Sequence, residues 1–265
     1  MTIQTDPLAY SGKRCIVTGC HSGIGQATAR LLIEAGASVH GLDLRECDLP
    51  LAGFTHVDLR DQSSIDRAAA HLAGPVDALF NCAGIAPMRP WLDVMKVNFV
   101  GMRHLTQVVL DKMPPGSAIV CIGSNGGAGW RQHIPELREF VTTDSFDAAV
   151  RWCEQHPAPE ANAYGFSKEA IAVWTMHQSA TTIARGIRLN CTSPGTVQTP
   201  MLDEIEEVVA TDRIDVVSQP IGRRSSPEEQ AWVLLMLNSA RASYINGVEL
   251  PVDGGFIASR IVAGN

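Results

Sequence analysis

A doubly wound α/β fold on a seven-stranded parallel sheet is predicted by three features of the 265-residue sequence. Short apolar segments alternate with helix-length amphipathic ones, the pattern of strand–helix–strand crossovers. A glycine-rich turn follows the first apolar segment. No linker rich in Gly, Pro or Ser divides the chain, so one domain over residues 1–265 is expected.

Taken in order, residues 14–18 (RCIVT) read as a first buried strand. In 24–36, Ile24, Ala27, Leu31 and Leu32 lie near one face and Gly36 supplies a stop, which predicts a helix. Residues 37–42 (ASVHGL) give a second strand and 55–57 a short third, followed by a helix over 63–73 that begins at Ser63. Residues 76–81 (VDALFN) form the fourth strand. A long helix over 94–112 is ended by Pro114, Pro115 and Gly116. Strand five is 117–122, a second long helix covers 162–185, and strand six is 187–191. A helix over 227–237 takes Ser226 as its cap, and strand seven, 248–252, closes on Asp253-Gly254-Gly255.

One segment breaks this rhythm: an insertion at about 126–162, between strand five and the second long helix. Within it, Phe146, Ala149, Val150 and Cys153 place an apolar face on a helix over 145–155, which Pro157 and Pro159 end. A connection of this length is usually functional or carries structure of its own.

Composition narrows the class. With 45% apolar and 18% charged residues the chain can bury a sizeable core, and disorder is excluded as its main state. The balance of 21 Lys+Arg against 28 Asp+Glu, 21 − 28 = −7, argues against nucleic acid or an anionic membrane surface as a partner. No apolar run approaches the roughly 20 residues of a membrane helix, and the N-terminus lacks the charged and apolar regions of a secretory signal. Seven scattered cysteines, with no CxxC pair and no Cys/His cluster at zinc spacing, predict reduced thiols in a cytoplasmic protein and no metal site.

The turn Thr18-Gly19-Cys20-His21-Ser22-Gly23-Ile24-Gly25 joins a strand to a helix. Gly19 can take the tight turn, Gly23 lets the backbone approach a pyrophosphate, and Gly25 lets helix and strand pack closely. The free N–H groups and positive end of the helix favour the phosphate charge. The spacing is G-x-x-x-G-x-G, not the G-x-G-x-x-G fingerprint, so its place between strand and helix carries the reading. Ser22 and Ile24 complete this cofactor-binding turn, and His21 is a loop contact of it rather than a catalytic group. Asp43 closes the second strand 18 residues after Gly25 and can accept hydrogen bonds from the adenosine ribose hydroxyls. Its charge repels a 2′-phosphate, so NAD is expected over NADP, with Arg45 close enough to offset part of the repulsion. Asp58 is placed as partner to the adenine amino group.

Tyr164 and Lys168 form a Y-x-x-x-K pair. Positions i and i+4 share a helix face, so the ammonium lies beside the phenol. A free tyrosine titrates near ~10, and a neighbouring cation is expected to lower that value toward useful acid/base chemistry. Ser124 closes the fifth strand and is not in G-x-S-x-G, which excludes a serine hydrolase.

These elements resemble the short-chain dehydrogenase/reductase family across residues 10–258: TGCHSGIG (18–25), Asp43, Asp58-Leu59, Asn81-Cys82-Ala83-Gly84, Asn98, Ser124, Tyr164 with Lys168, Pro194-Gly195 with Thr199, and Val252-Asp253-Gly254-Gly255. The resemblance implies a Rossmann fold and a Ser–Tyr–Lys triad extended by an asparagine. Tyr164 is then the acid/base, and Lys168 lowers its pKa and bonds the nicotinamide ribose. Ser124 donates to the reacting oxygen, and Asn98 positions a water that links Lys168 to solvent. Leu59, Asn81, Ala83 and Gly84 line the adenosine side, while Pro194, Gly195, Val197 and Thr199 hold the nicotinamide carboxamide. Plainer roles remain open: Ser124 as a strand-end turn residue, Asn98 as a polar group inside a helix, Thr199 as a cap for the segment starting at Pro200. A nucleotide-sensing module that lost catalysis is disfavoured because the tetrad is complete. A methyltransferase on a similar sheet is disfavoured by Y-x-x-x-K and the Pro194–Thr199 segment.

Gly84 and Asn98 are only 14 residues apart, and Ser124 and Tyr164 as many as 40, a combination similar to the bacterial coniferyl-alcohol dehydrogenase and 3α-hydroxysteroid dehydrogenase/carbonyl reductase subgroups. This implies an NAD-linked dehydrogenase for a hydrophobic aryl or allylic alcohol, with a hydroxysteroid or other cyclic secondary alcohol as the alternative. The substrate pocket is expected from 85–92, 125–135 and 200–220, with Met88, Trp91, Trp130, Met201 and Leu202 as walls. In the wider family the Tyr164 helix packs in a four-helix dimer interface. The insertion is expected to block it, which predicts a homodimer, through the last strand and its preceding helix, over a tetramer.

Overall fold

The computed structural model describes residues 7–264, apart from the Arg213 side chain. Seven parallel strands lie in the order β3-β2-β1-β4-β5-β6-β7. They are β1 (Arg14–Thr18), β2 (Ser38–Asp43), β3 (Gly53–His56), β4 (Ala78–Asn81), β5 (Ala118–Ile122), β6 (Arg188–Pro194) and β7 (Glu249–Val252). The chain winds outward from β1 to β3, then returns to β4 on the other side of β1. This reversal leaves a crevice at the carboxyl ends of β1 and β4.

Alternation along the strands divides the core between the two faces of the sheet. Cys15 and Val17 pack under α1 (Gly23–Glu34) and α11 (Pro227–Asn238), whereas Ile16 joins the larger core opposite. That core lies under α2 (Gln62–His71), α4 (Met102–Leu110) and α8 (Ala163–Ile183). Helix α2 starts a residue before the expected Ser63, because the Asp61 carboxylate caps it by accepting from the Ser63 N–H at 2.9 Å. The third strand begins at Gly53, where it pairs with His40 of β2, earlier than its apolar residues suggest.

The helix expected over 94–112 is three pieces. It begins as α3 (Trp91–Met95), widens into a π-helical turn (Lys96–Gly101) and continues as α4. Gly101 permits this course: a Cβ there would sit 2.1 Å from the Leu59 carbonyl oxygen.

The insertion is more ordered than its sequence suggests. A 3₁₀ segment (Asn125–Gln132) leads to α5 (Ile134–Val141), α6 (Phe146–Gln155) and α7 (Pro157–Ala161). Ser145 caps α6, which ends at Gln155 ahead of Pro157 as expected, and Pro157 then opens a further short helix, α7, that the sequence reading did not include. Proline suits a first helical position, where its missing N–H costs nothing. Phe140 and Trp152 stack at 4.8 Å, and both reach Phe166 of α8. The Arg103 guanidinium of α4, 1% exposed, pins the α5–α6 turn. It donates to the Val141, Thr143 and Ser145 carbonyls and to Thr143 Oγ1, at 2.9–3.3 Å. Burial lowers its pKa to about 10, so it stays charged at neutral pH.

Candidate active site

A cleft of about 890 Å³ runs along the carboxyl ends of the strands. At its floor, Gly19 (φ +69°) turns the chain so closely over Ala83 that a Cβ would lie 2.8 Å from the Ala83 Cα. A Cβ on Gly25 would fall 2.1 Å from the Gly19 carbonyl oxygen, so the turn tolerates no side chain there. Gly23 (φ +57°) faces the Thr199 methyl group across the cleft. Ser22 makes no side-chain cap on α1, which leaves first-turn N–H groups for a phosphate. This bare, concave cradle fits a dinucleotide pyrophosphate.

Asp43 sits at the end of β2, lining the cleft. Its oxygens accept from the His21 and Arg45 N–H groups, each at 3.0 Å, which fixes the carboxylate at the cleft wall. The His21 ring turns away to the Glu46 carbonyl at 2.5 Å and does not line the cleft, so its role is the loop contact. Asp58 lines the cleft, but Arg60 binds its carboxylate through Nε and Nη2 and holds its pKa below the usual range. Leu59, Ala83 and Gly84 line the wall beside it. Asn81 does not: its amide donates to Thr106 Oγ1 at 2.9 Å, and the residue is 2% exposed. The strand end it supports lines the cleft through residues 82–84 instead.

Ser124, Tyr164 and Lys168 come together at the opposite end, with Pro194, Gly195, Val197 and Thr199. Ser124 Oγ and the Tyr164 ring edge flank one point: a Cβ on Gly126 would lie 3.4 Å from the first and 3.5 Å from the second. Ser124 accepts from the Gly126 N–H at 3.1 Å, while its own hydroxyl lies 3.4 Å from Asn125 Oδ1 and within hydrogen-bond reach of the Tyr164 phenol. It is thus both a cap and a donor available to the cleft. Thr199 likewise caps α9 (Pro200–Glu206) while lining the cleft, so its two sequence readings are compatible.

Lys168 is buried, with Nζ 5.5 Å from the Tyr164 ring centre and 3.0 Å from the Ile122 carbonyl oxygen to which it donates. Burial lowers its pKa to about 8. The phenol differs from expectation. Burial raises the Tyr164 pKa, and the Ser124 hydrogen bond offsets only part of that rise. In the protein alone, desolvation sets the direction of the shift. Asn98 lies behind the cleft in the π-helical turn, 1% exposed. Its Oδ1 accepts from the Ile85 N–H at 2.8 Å and its amide reaches Ser167 Oγ at 3.4 Å. A Cβ on Gly84 would lie 3.3 Å from Asn98 Oδ1 and 3.9 Å from Lys168 Nζ, so the amide sits close behind the ammonium.

Of the expected substrate walls, Met201 and Leu202 line the cleft. Met88, Trp91 and Trp130 do not. Met88 points to solvent, 41% exposed; Trp91 packs on the core; Trp130 is buried, with the Arg131 guanidinium over its outer face. Ile85, Pro87, Ile205 and Val217 replace them, together with the charged Arg89 and Glu204. The clustering of Ile85 and Pro87 just after the Gly84 turn is the one local signal for these walls.

This fold and tetrad define an oxidoreductase acting on alcohol groups. The chain belongs to the short-chain dehydrogenase/reductase family, whose members use nicotinamide dinucleotides. The short chain dehydrogenase profile matches residues 13–135, and the one described as enoyl-(acyl carrier protein) reductase matches residues 141–257. The coniferyl-alcohol dehydrogenase of a Pseudomonas species is 33% identical, covering 96% of this chain and 100% of the relative. The 3-alpha-hydroxysteroid dehydrogenase/carbonyl reductase of Comamonas testosteroni is 31% identical over 92% of this chain and 96% of its own. Among solved structures, the 3-alpha-hydroxysteroid dehydrogenase of Pseudomonas sp. B-0831, complexed with NADH, superposes with a TM-score of 0.80 at 28% identity, over 96% of this chain and 99% of that one. Among the described residues no helix is long and apolar enough to cross a membrane, and no His/Cys/Asp/Glu group could hold a metal.

Proposed function

We propose that this chain is an NAD-dependent dehydrogenase that oxidises a hydrophobic aryl or allylic alcohol, reversibly, to the carbonyl compound. The observation that carries this reading is the meeting of Ser124 and Tyr164 above buried Lys168, in one cleft with the glycine cradle and beneath Met201, Leu202 and Ile205. When bound, the nicotinamide ring accepts the hydride and brings a positive charge to the cleft. Tyr164 takes the alcohol proton, and Ser124 donates to the oxygen on which charge develops. Lys168 holds the ribose and, with that added charge, favours the phenolate; Asn98 orders the path behind it. Pro194, Gly195, Val197 and Thr199 fix the carboxamide.

NAD is favoured over NADP because Asp43 presents a carboxylate at the end of β2. Arg60 is already neutralised by Asp58 at 2.7 Å and approached by Asp93 at 3.5 Å, so it is poorly placed to offset a 2′-phosphate. A cyclic secondary alcohol is the second reading, favoured by the likeness to the two hydroxysteroid enzymes. The insertion packs on α3, α8 and the π-helical turn, the faces a four-helix interface would need, and Trp232 on α11 is 53% exposed. These features support a homodimer through α11 and β7, testable by light scattering.

The decisive experiment is a panel of benzyl, cinnamyl, coniferyl and hydroxysteroid alcohols, each with NAD⁺ and NADP⁺, followed by absorbance of the reduced coenzyme. Turnover of the aryl and allylic alcohols with NAD⁺ is expected. Turnover confined to the steroid would shift the assignment to the second reading.

A further inference from the structure

The substrate end of the cleft has two walls from distant parts of the chain. One is the loop after β4, carrying Ile85, Pro87 and Arg89; the other is α9 with α10 (Thr211–Val216). Both walls are mainly apolar here, but Arg89 Nη2 and Glu204 Oε2 meet between them at 2.9 Å. Among the described residues this is the one ion pair that joins the two walls. The rest of the second wall is braced from behind. Arg224 bonds Glu206 of α9 at 2.6 Å, Asp215 of α10 at 3.3 Å and Gln198 at 3.2 Å. Helices α9 and α10 are therefore tied to one another at their base, and among the described residues Arg89–Glu204 is the ion pair that ties their cleft side to the loop after β4.

We infer that Arg89 and Glu204 are specificity-determining residues: their ion pair closes the outer end of the substrate cleft and sets how long an alcohol is accepted. This rests on the proposed alcohol oxidation and adds its length limit. A short aryl alcohol at Ser124 and Tyr164 leaves the pair intact. A long one must part it, giving up its attraction and placing apolar surface against two freed charges. The side chains are 55% and 46% exposed, so the pair is weak enough to part and re-form with each turnover. The expected discrimination is correspondingly modest, about two- to fivefold, the range of an exposed pair.

The test compares kcat/KM for benzyl alcohol and for 4-phenylbenzyl alcohol, with NAD⁺ saturating. It uses wild type, Arg89→Ala, Glu204→Ala and the charge-exchanged double variant Arg89→Glu with Glu204→Arg. Asp111→Asn, which removes a surface pair with Arg185 remote from the cleft, is the control. Each alanine variant should raise the long-to-short ratio about two- to fivefold. Charge exchange should return it toward the wild-type value, and high salt should raise it in wild type and in the charge-exchanged variant but not in the alanine variants. A ratio unchanged in both alanine variants, while wild type oxidises both alcohols, overturns this inference alone. So does a charge-exchanged variant that behaves as the sum of two lesions, because a merely structural role predicts that result. A wild type that oxidises no alcohol overturns the proposed function, and this inference with it.

Discussion

Replacing Lys168 by Met should make the protein more stable while stopping turnover. Burial carries the ammonium from its ordinary 10.5 to about 8, which corresponds to about 3 kcal/mol of unfavourable free energy at neutral pH. Methionine has similar length and no charge to desolvate. It gives up the 3.0 Å bond to the Ile122 carbonyl, a loss of about 1 kcal/mol. A net gain of about 2 kcal/mol at pH 7 follows. The pH dependence is diagnostic. Between about 8 and 10.5 the unfolded wild-type chain holds the lysine proton and the folded one does not, so wild-type stability rises with pH across that window and is flat below it. The variant lacks this contribution, so its advantage should shrink from pH 8 upward. Urea unfolding of both proteins at neutral pH and at about pH 10 measures the effect. A K168M protein less stable than wild type at pH 7, or a difference independent of pH, would refute the reasoning.

Gly25→Ala places a methyl group 2.1 Å from the Gly19 carbonyl oxygen; titration with NADH should show binding weakened by about 100-fold or more, with about 1–3 kcal/mol of lost stability in urea. Asp43→Asn removes the charge held by His21 and Arg45; the NAD⁺-to-NADP⁺ ratio of kcat/KM should fall by about tenfold, the worth of a charge-assisted hydrogen bond. Arg103→Met leaves the Val141, Thr143 and Ser145 carbonyls without their buried donor. It should cost about 3 kcal/mol, and hydrogen exchange should quicken over 141–145 before it does in β1.

What was legible in the sequence is what is local. Central strands such as 15–18 and 118–122 are unbroken β-branched and apolar runs, and their turns carry glycines with a steric duty. That Ser124, Tyr164, Lys168 and the glycine turn would share one cleft was legible because each sits at a strand end or on one helix face. The edge strand β3 was misplaced because its partly exposed residues give weak alternation. The π-helical turn at Asn98 leaves no periodicity to read, since one extra residue per turn is absorbed by contacts with Leu59 and Ile85. Helix α5 was missed, although Ile134, Leu137, Phe140 and Val141 recur at helical spacing. Three of the five expected substrate walls, Met88, Trp91 and Trp130, failed for a different reason. Trp91 and Trp130 are apolar and lie in the right segments, but a large aromatic side chain gains more from the core under α8 than from the cleft rim. The Arg89–Glu204 contact, 115 residues apart, is a product of the tertiary fold.

In the proposed reaction the Tyr164 phenol is the group that exchanges a proton with the alcohol. Tyr164→Phe removes one oxygen from a half-buried ring and leaves the glycine cradle untouched. NADH titration should give a Kd close to wild type, while alcohol oxidation should fall by about 10²–10⁴-fold, the share of a positioned acid/base. Oxidation by Y164F within a few-fold of wild type, with the coenzyme bound equally well, would contradict the account.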